Sequence, residues 1–484
     1  MKPKSNARYR VVVVGGGISG LATAHRLLER ASQLHQSIDV ELFEASQRLG
    51  GVIHTIKKQG FLLEGGPDSF ISEKPWGLNL CQRLGLESHL IGTQQSHRRS
   101  FIVHRGKLVP TPEGFYLIAP SQVLPFVRTP IMSSLGKLRM AADLVLPRRK
   151  NLSTETDESL AKFVRRRLGQ EALDRLAQPM VGGIYTADPE KLSLRATFPR
   201  FLEMEQQHRS LLLGMWRSRA IYKQSPAQRA SGPRYGLFLS FDDGMQRLVE
   251  RLQEKLSPSS LHLNSEVISL RQEPHTQQWL IQLRNGSRLT ADAVCLALPS
   301  HQSATLLQAL APQLAEKLRS IEYTSIATVN LAYSTEDIPS DMDGFGFLVP
   351  AIERQSVLAC SFSHLKFPGR APKNRALLRA FLGGALQPEK LDYDDQRMIE
   401  LVQNNLQDLL GIMRKPLLTW VDRHPKAMAQ YGVGHLDHVK QIDAELLKWP
   451  QLKLAGNGFT GIGIPDCIRR AEQCADQLLS RLEP

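Results

Sequence analysis

An unbroken β-branched run, Val11 to Val14, opens the chain. It lacks the polar alternation of a half-exposed strand, so it predicts a strand buried on both faces, as in a parallel sheet. Gly15-Gly16-Gly17-Ile18-Ser19-Gly20 follows directly. Leu21, Ala24 and Leu28 then recur at helical spacing, with Arg26, Glu29 and Arg30 between them, which predicts an amphipathic helix. Ile38–Phe43 reads as a second strand with Glu44 at its carboxyl end, completing one strand–helix–strand unit. The texture changes from about 105 to 235. Prolines cluster there beside basic runs (Arg148-Arg149-Lys150 and Arg165-Arg166-Arg167), and Ser159–Arg167 and Glu171–Leu176 are amphipathic; a mainly helical insertion is expected. Strand patterns return at Ser265–Leu270, Trp279–Leu283 and Ala293–Leu298, with an Asn285-Gly286 hairpin turn, then at Tyr323–Tyr333 and Phe345–Pro350. A short strand, Leu452–Gly456, precedes a glycine-rich turn and a helix from about Pro465 to Leu482.

Composition changes this picture little. The 484 residues are 42% hydrophobic and 22% charged, with 35 Gly and 28 Pro, the usage of a large globular chain of about three folding units. The formal charge of +14 suits an anionic partner: nucleic acid, anionic lipid or a polycarboxylate substrate. It equally suits a plain soluble enzyme. No aromatic-interleaved basic stripe or recognition module is present, so nucleic acid is not expected. The five cysteines are an odd number without C-x-x-C spacing, which argues against a disulfide framework and for a reducing compartment. There is no H-E-x-x-H, and the His435/His438 pair has no third ligand nearby, so no metal is expected. Glycines break the apolar run after Val14 too early for a signal peptide. Neither Ala293–Ala315 nor the shorter Gly114–Val127 reads as a membrane span, and the latter would at most lie on a membrane surface.

The glycines carry chemistry. Gly15-x-Gly17-x-x-Gly20 follows a strand and opens a helix, and Glu44 closes the next strand, near the spacing of a ribose-binding carboxylate. Gly15 permits the tight turn, Gly17 lets backbone approach a pyrophosphate, and Gly20 lets helix and strand pack closely. The helix N-terminus offers free N–H groups to the phosphates. Residues beyond Glu44 favour FAD over NAD. Arg48-Leu49-Gly50-Gly51 and Glu64-Gly65-Gly66-Pro67 supply further close-approach backbone that a nicotinamide domain does not need. Ala455-Gly456-Asn457-Gly458-x-x-Gly461-Ile462-Gly463-Ile464 can meet the flavin's far end.

Val11–Ala22, Glu44-Ala45-Ser-x-Arg-Leu-Gly-Gly51 and Ala455–Ile464 together resemble the flavin-containing amine oxidase superfamily. Glu64–Phe70, Gly183–Ser193, Gly344–Pro350, Arg370-Ala-Pro and the Pro425–His435 stretch are similar to its protoporphyrinogen/coproporphyrinogen oxidase branch, and the resemblance runs over essentially the whole chain. It implies an α/β (α+β mixed) fold: a Rossmann-like FAD-binding domain (5–75, 238–300 and 425–484), an interleaved β-rich substrate-binding domain (76–104 and 301–424) and the helical insertion (105–237). It implies oxidation of a porphyrinogen to the porphyrin, with oxygen as acceptor, in heme biosynthesis. The flavin would carry the chemistry, so no catalytic side chain is expected.

By the same resemblance the cofactor is lined by Gly15, Gly16, Gly17, Ile18, Ser19, Gly20, Glu44, Ala45, Arg48, Gly50, Gly51, Gly65, Gly66, Pro67, Val267, Gly456, Ile462, Gly463 and Ile464. Trp420 is expected to flank the flavin. Arg98 or Arg99 matches a carboxylate-binding arginine, suited to a bidentate grip on a propionate, and Phe345 matches an aromatic packed on the macrocycle. Asp242-Asp243-Gly244-Met245 and Ala471 depart from the family pattern. A cytoplasmic protein is implied. Peripheral membrane contact through the basic middle region stands beside a soluble lid, and a homodimer stays open. The rival readings are an amine oxidase or polyene desaturase of the same superfamily and, without chemistry, a prenyl-protein escort or dissociation inhibitor.

Overall fold

A computed structural model describes residues 8–149, 157–222 and 238–481. Lys150 of the basic run, and residues 5–7, 223–237 and 482–484 of the expected domains, lie outside the described residues.

The first strand, Tyr9–Val14, is the centre of a five-stranded parallel sheet. Its order is Leu261–His262, Ile38–Phe43, Tyr9–Val14, Ala293–Leu296, Leu452–Leu454. Distant parts of the chain therefore meet side by side. The β-branched run is buried on both faces, as its pattern predicts. Val11 and Val13 pack with the opening helix (Ile18–Leu34) and the closing helix (Ile464–Leu479). Val12 and Val14 face a second core around Trp279. Each such valine contributes roughly 1.5–3 kcal/mol by burial, so a charged residue on either face would break the sheet. The predicted hairpin also forms: Trp279–Leu283 pairs antiparallel with Arg288–Ala291, and Val267–Gln272 completes three strands.

A second, seven-stranded sheet runs Leu418–Ala429, Tyr323–Ser334, Arg375–Gly383, Ala359–Phe362, Gly346–Leu348, Phe101–His104, Lys107–Pro110. Its core is closed by the helix Asp395–Leu410 through Met398, Val402 and Leu406. The expected segment borders meet this sheet inside its elements. Position 424/425 falls within the strand Leu418–Ala429, which pairs along its length with Tyr323–Ser334. Position 104/105 falls in the hairpin of Phe101–His104 and Lys107–Pro110. Sequence pattern marks where strands are; it does not mark which sheet a strand joins.

The insertion is largely helical and packs on Ile102 and Ala429 of the large sheet. Leu160–Arg167 follows its predicted span, capped by the Ser159 hydroxyl. The next expected helix begins at Gln170 and widens to a π turn over Leu173–Ala177. Gly114–Val127 divides. Ile118 and Ala119 are buried in the helical core, whereas Val123, Leu124 and Val127 are exposed.

Candidate active site

The loops leaving the carboxyl ends of the parallel sheet meet along one edge, the place where open α/β sheets bind ligands in a crevice. The turn after Val14 is the first. Gly15 has φ +105°, and a Cβ there would stand 2.7 Å from the Ala297 carbonyl oxygen, so the turn needs glycine. A Cβ on Gly20 would stand 1.8 Å from the Gly15 oxygen; glycine lets the helix lie directly on the turn. Gly17 differs. Its Cβ would meet only the Gly51 Cα, at 4.0 Å, so the space before it is open. The opening helix has no side-chain cap and no acidic residue in its first turn. By contrast Ser133, Ser159, Ser193 and Asp394 cap other helices with their side chains. An uncapped helix end behind an open glycine is a seat for an anion.

Glu44 is held by backbone: its Oε2 accepts from Gly16 N–H (2.7 Å) and its Oε1 from Ser46 N–H (2.8 Å). Each oxygen keeps a further lone pair that can accept a hydroxyl. Ser265 N–H bonds the Glu44 carbonyl, which brings the strand of Val267 beside it. Ala45 is exposed next to this carboxylate. Gly50 N–H donates to the Gly16 carbonyl at 2.8 Å, laying Gly50-Gly51 against the first turn. Arg48 clamps this loop through the carbonyls of Gly51 (2.6 Å) and Ile53 (2.9 Å). Its role here is to shape the loop.

At the other end of the crevice, Cys467 of the closing helix shares a core with Ile18, and the closing and opening helices pack side by side, which brings Ile462–Ile464 toward the first glycine turn. The closing helix also starts from a glycine, Gly463, without a side-chain cap. Its turn is fixed from below. The Tyr431 hydroxyl donates to the Asn457 carbonyl (2.6 Å) and accepts from Gly461 N–H (2.8 Å). His435 stacks on the Tyr431 ring at 4.0 Å, and its Nε2 bonds the Phe459 carbonyl at 2.8 Å. Burial pushes His435 down to about 4. His438 instead bonds the Lys317 carbonyl, and the described residues contain no cluster able to hold a metal.

Gly65-Gly66 form a floor between the loop after Gly51 and the large sheet. Gly65 N–H bonds the His54 carbonyl, and a Cβ on Gly66 would stand 1.7 Å from the Val52 oxygen. Pro67 follows, half-buried. The Gly65 carbonyl accepts from Thr328 Oγ1 (2.8 Å) and Arg379 Nη2 (3.2 Å) and lies 3.0 Å from His424 Nε2. Burial pushes the neighbouring Glu64 carboxyl up to about 7, although Met245 N–H and Thr55 Oγ1 bond it. That bond ties in the departing Asp242–Met245 turn. Asp68 is bonded by Lys366 Nζ at 2.7 and 3.0 Å. Burial alone would raise Asp68, but Lys366 and Arg379 outweigh it and hold the carboxyl well below its ordinary range. Trp420 reaches the floor indirectly. Its Nε1 bonds Asp422, which lies against Gly65, while Lys58 sits over its ring.

The residues expected to meet the substrate also come together. Phe345 N–H bonds the Arg99 carbonyl at 2.7 Å, although the two are far apart in the chain. Arg98 and Phe345 are each 5% exposed, whereas the Arg99 side chain is 66% exposed and pairs with Asp343 at 3.4 Å. Of the two arginines, burial singles out Arg98.

Tyr431, Arg379, His424 and Lys366 had no individual place in the sequence reading. Tyr431 and His424 flank or lie in the recognised Pro425–His435 stretch, but Arg379 and Lys366 sit in strand and helix patterns that carry no motif. The residues fit a long dinucleotide cofactor: open space before Gly17, two uncapped helices, and a fixed carboxylate beside the first turn.

The model of the flavin containing amine oxidoreductase family matches residues 18–479. The chain is similar to coproporphyrinogen III oxidase of Bacillus subtilis, 34% identical over 479 residues, covering 99% of each chain. It is also similar to mitochondrial protoporphyrinogen oxidase of Nicotiana tabacum, 28% identical, covering 99% of this chain and 96% of the other. Among solved structures, a protein of Exiguobacterium sp. 255-15, provisionally named a protoporphyrinogen oxidase, superposes with a TM-score of 0.85 at 30% identity. It covers 98% of this chain and 99% of the other.

Proposed function

The chain belongs to the flavin containing amine oxidoreductases, and we propose that it oxidises a porphyrinogen, coproporphyrinogen III or protoporphyrinogen IX, to the porphyrin in heme biosynthesis. Oxygen is the electron acceptor of this reading. The observation that carries it is the end-to-end match to a coproporphyrinogen III oxidase, which covers 99% of each chain. FAD, when bound, supplies the redox chemistry.

The chain's own residues bind, orient and exclude water. In this reading the N–H groups behind Gly17 and Gly463 take up the pyrophosphate and the flavin's polar edge. Glu44 accepts the ribose hydroxyls. Gly51, Gly66 and Gly456 let their loops pack closely on Gly17, Val52 and Leu298, which shapes the wall the cofactor meets. Val267 carries the backbone beside the adenine. Arg98 grips a propionate, and Phe345 packs on the macrocycle. The division into a cofactor part (5–75, 238–300, 425–484), a substrate part (76–104, 301–424) and a helical part (105–237) follows these roles.

Peripheral membrane contact is part of the same reading. Val123, Leu124, Val127, Leu135, Leu138 and Val145 are each more than half exposed on neighbouring short helices and their flanks. Arg128 and Arg148 border them, and the one acid within the stretch, Asp143, is buried against Arg167. Exposed aliphatics with a positive border suit an anionic lipid surface on the cytoplasmic side. No helix of the described residues is long and apolar enough to cross a membrane.

Aerobic incubation with each porphyrinogen in parallel tests the proposal. Fluorescent porphyrin should form faster than without enzyme from at least one. Formation from neither contradicts it.

A further inference from the structure

We propose that Arg379 is a positioning residue for the flavin, raising its reduction potential by placing a buried positive charge under the Gly65-Gly66 floor. The inference rests on the flavin assignment above and goes beyond it.

Gly346, Ser361, Arg379, Asn330 and Trp420 are partners in one row across five strands of the large sheet. Phe345, on the substrate side, directly precedes the first of them; Trp420 is the last. Partners in such a row share a face. The Arg379 side chain rises from the middle of this row, on its shared face. There its Nη2 donates to both the Gly65 and Gly66 carbonyls. Two glycine carbonyls drawn to one guanidinium fix the peptide between them.

Charge is the second link. Arg379 is 3% exposed. Its nearest carboxylate, Asp68, is 4.0 Å away and is already held by Lys366 at 2.7 Å. Its Nε has no hydrogen-bond partner among the described residues. The Phe381 ring, 4.8 Å from the guanidinium carbon, keeps water from that side. Glu64 and Asp422 also act on it, but burial pushes Glu64 up to about 7 and Asp422 is bonded by Trp420 Nε1, so the enclosed cation is partly balanced and projects a positive field through the floor. Accepting electrons makes the flavin ring more negative, so the field favours the reduced form. The two carbonyl bonds need a donor but not a charge, and a buried guanidinium is costly to desolvate.

Reductive titration of the purified holoenzyme against a reference dye reads the effect. Arg379→Gln keeps an amide donor for the carbonyls and removes the charge; Arg379→Lys keeps the charge and removes the fork. Arg379→Gln should lower the midpoint potential by about 30 mV or more, a tenfold loss of preference for reduced flavin, while Arg379→Lys moves it by less than about 10 mV. An unchanged potential in Arg379→Gln, or an equal fall in both variants, overturns the proposal. If Arg379→Gln fails to fold, Arg379→Lys decides alone, because a fall of about 30 mV in it contradicts the charge. A wild-type protein that takes up no FAD overturns the flavin assignment together with this inference. A yellow wild type with unshifted variants overturns this inference only.

Discussion

Ile18, in the first turn of the opening helix, and Cys467, in the first turn of the closing helix, are buried in one core. One turn further on, Thr23 Oγ1 lies 3.4 Å from the Ala471 carbonyl, 448 positions away. The two helix N-termini are thereby locked side by side, which is what one elongated cofactor spanning both glycine turns demands. Ala471, a departure from the family pattern, is fully buried in this contact and does not disturb it.

Gly17 and Gly20 should fail differently. A valine at 17 meets open space, so Gly17→Val should fold yet bind at least tenfold less FAD. Its melting temperature should lie within about 2–4 °C of wild-type apoprotein, the cost of a poorer N-cap. Gly20→Val places a side chain on the Gly15 oxygen and should unfold the domain. Flavin absorbance and thermal melts of both variants distinguish binding from folding; a normally yellow Gly17→Val refutes the assigned role.

The strand–turn–helix opening was legible because a β-branched run, three spaced glycines and a helical repeat are local signals. The glycine turn near the end was legible for the same reason. Arg379 was not, because its role depends on sheet register among strands separated by scores of residues. The choice between Arg98 and Arg99 was equally hidden, since adjacent residues differ only in which one folding buries.

Arg98→Ala should raise the Michaelis constant for porphyrinogen by roughly tenfold or more, the worth of a charge-assisted hydrogen bond. Arg99→Ala, losing one exposed pair, should change it by less than about twofold. FAD content should stay constant in both. Steady-state kinetics with unaltered constants in Arg98→Ala would remove that residue from the site.

His435 gives a pH dependence. Its folded value, about 4, lies below its ordinary 6.5, so folding favours the neutral ring. The contribution is whole above pH 6.5 and is lost as pH falls toward 4, reaching about 2 kcal/mol at pH 5. Denaturant melts at pH 7 and pH 5 should show this loss, and His435→Gln should show a smaller difference. Equal slopes in the two proteins would mean that His435 does not couple to folding.

Leu135 and Leu138 should govern lipid contact. Wild-type protein should sediment with vesicles rich in anionic lipid, and Leu135→Glu with Leu138→Glu should stay in solution with its flavin intact. Wild-type protein that ignores such vesicles contradicts the proposed surface.

The central claim, that one flavin held by the two ends of the chain oxidises a porphyrinogen, is tested most directly by anaerobic mixing. Purified protein should be yellow, and coproporphyrinogen III or protoporphyrinogen IX should bleach its visible band without oxygen, with colour returning when air is admitted. A protein that stays colourless with added FAD, or whose band survives both porphyrinogens, would contradict it.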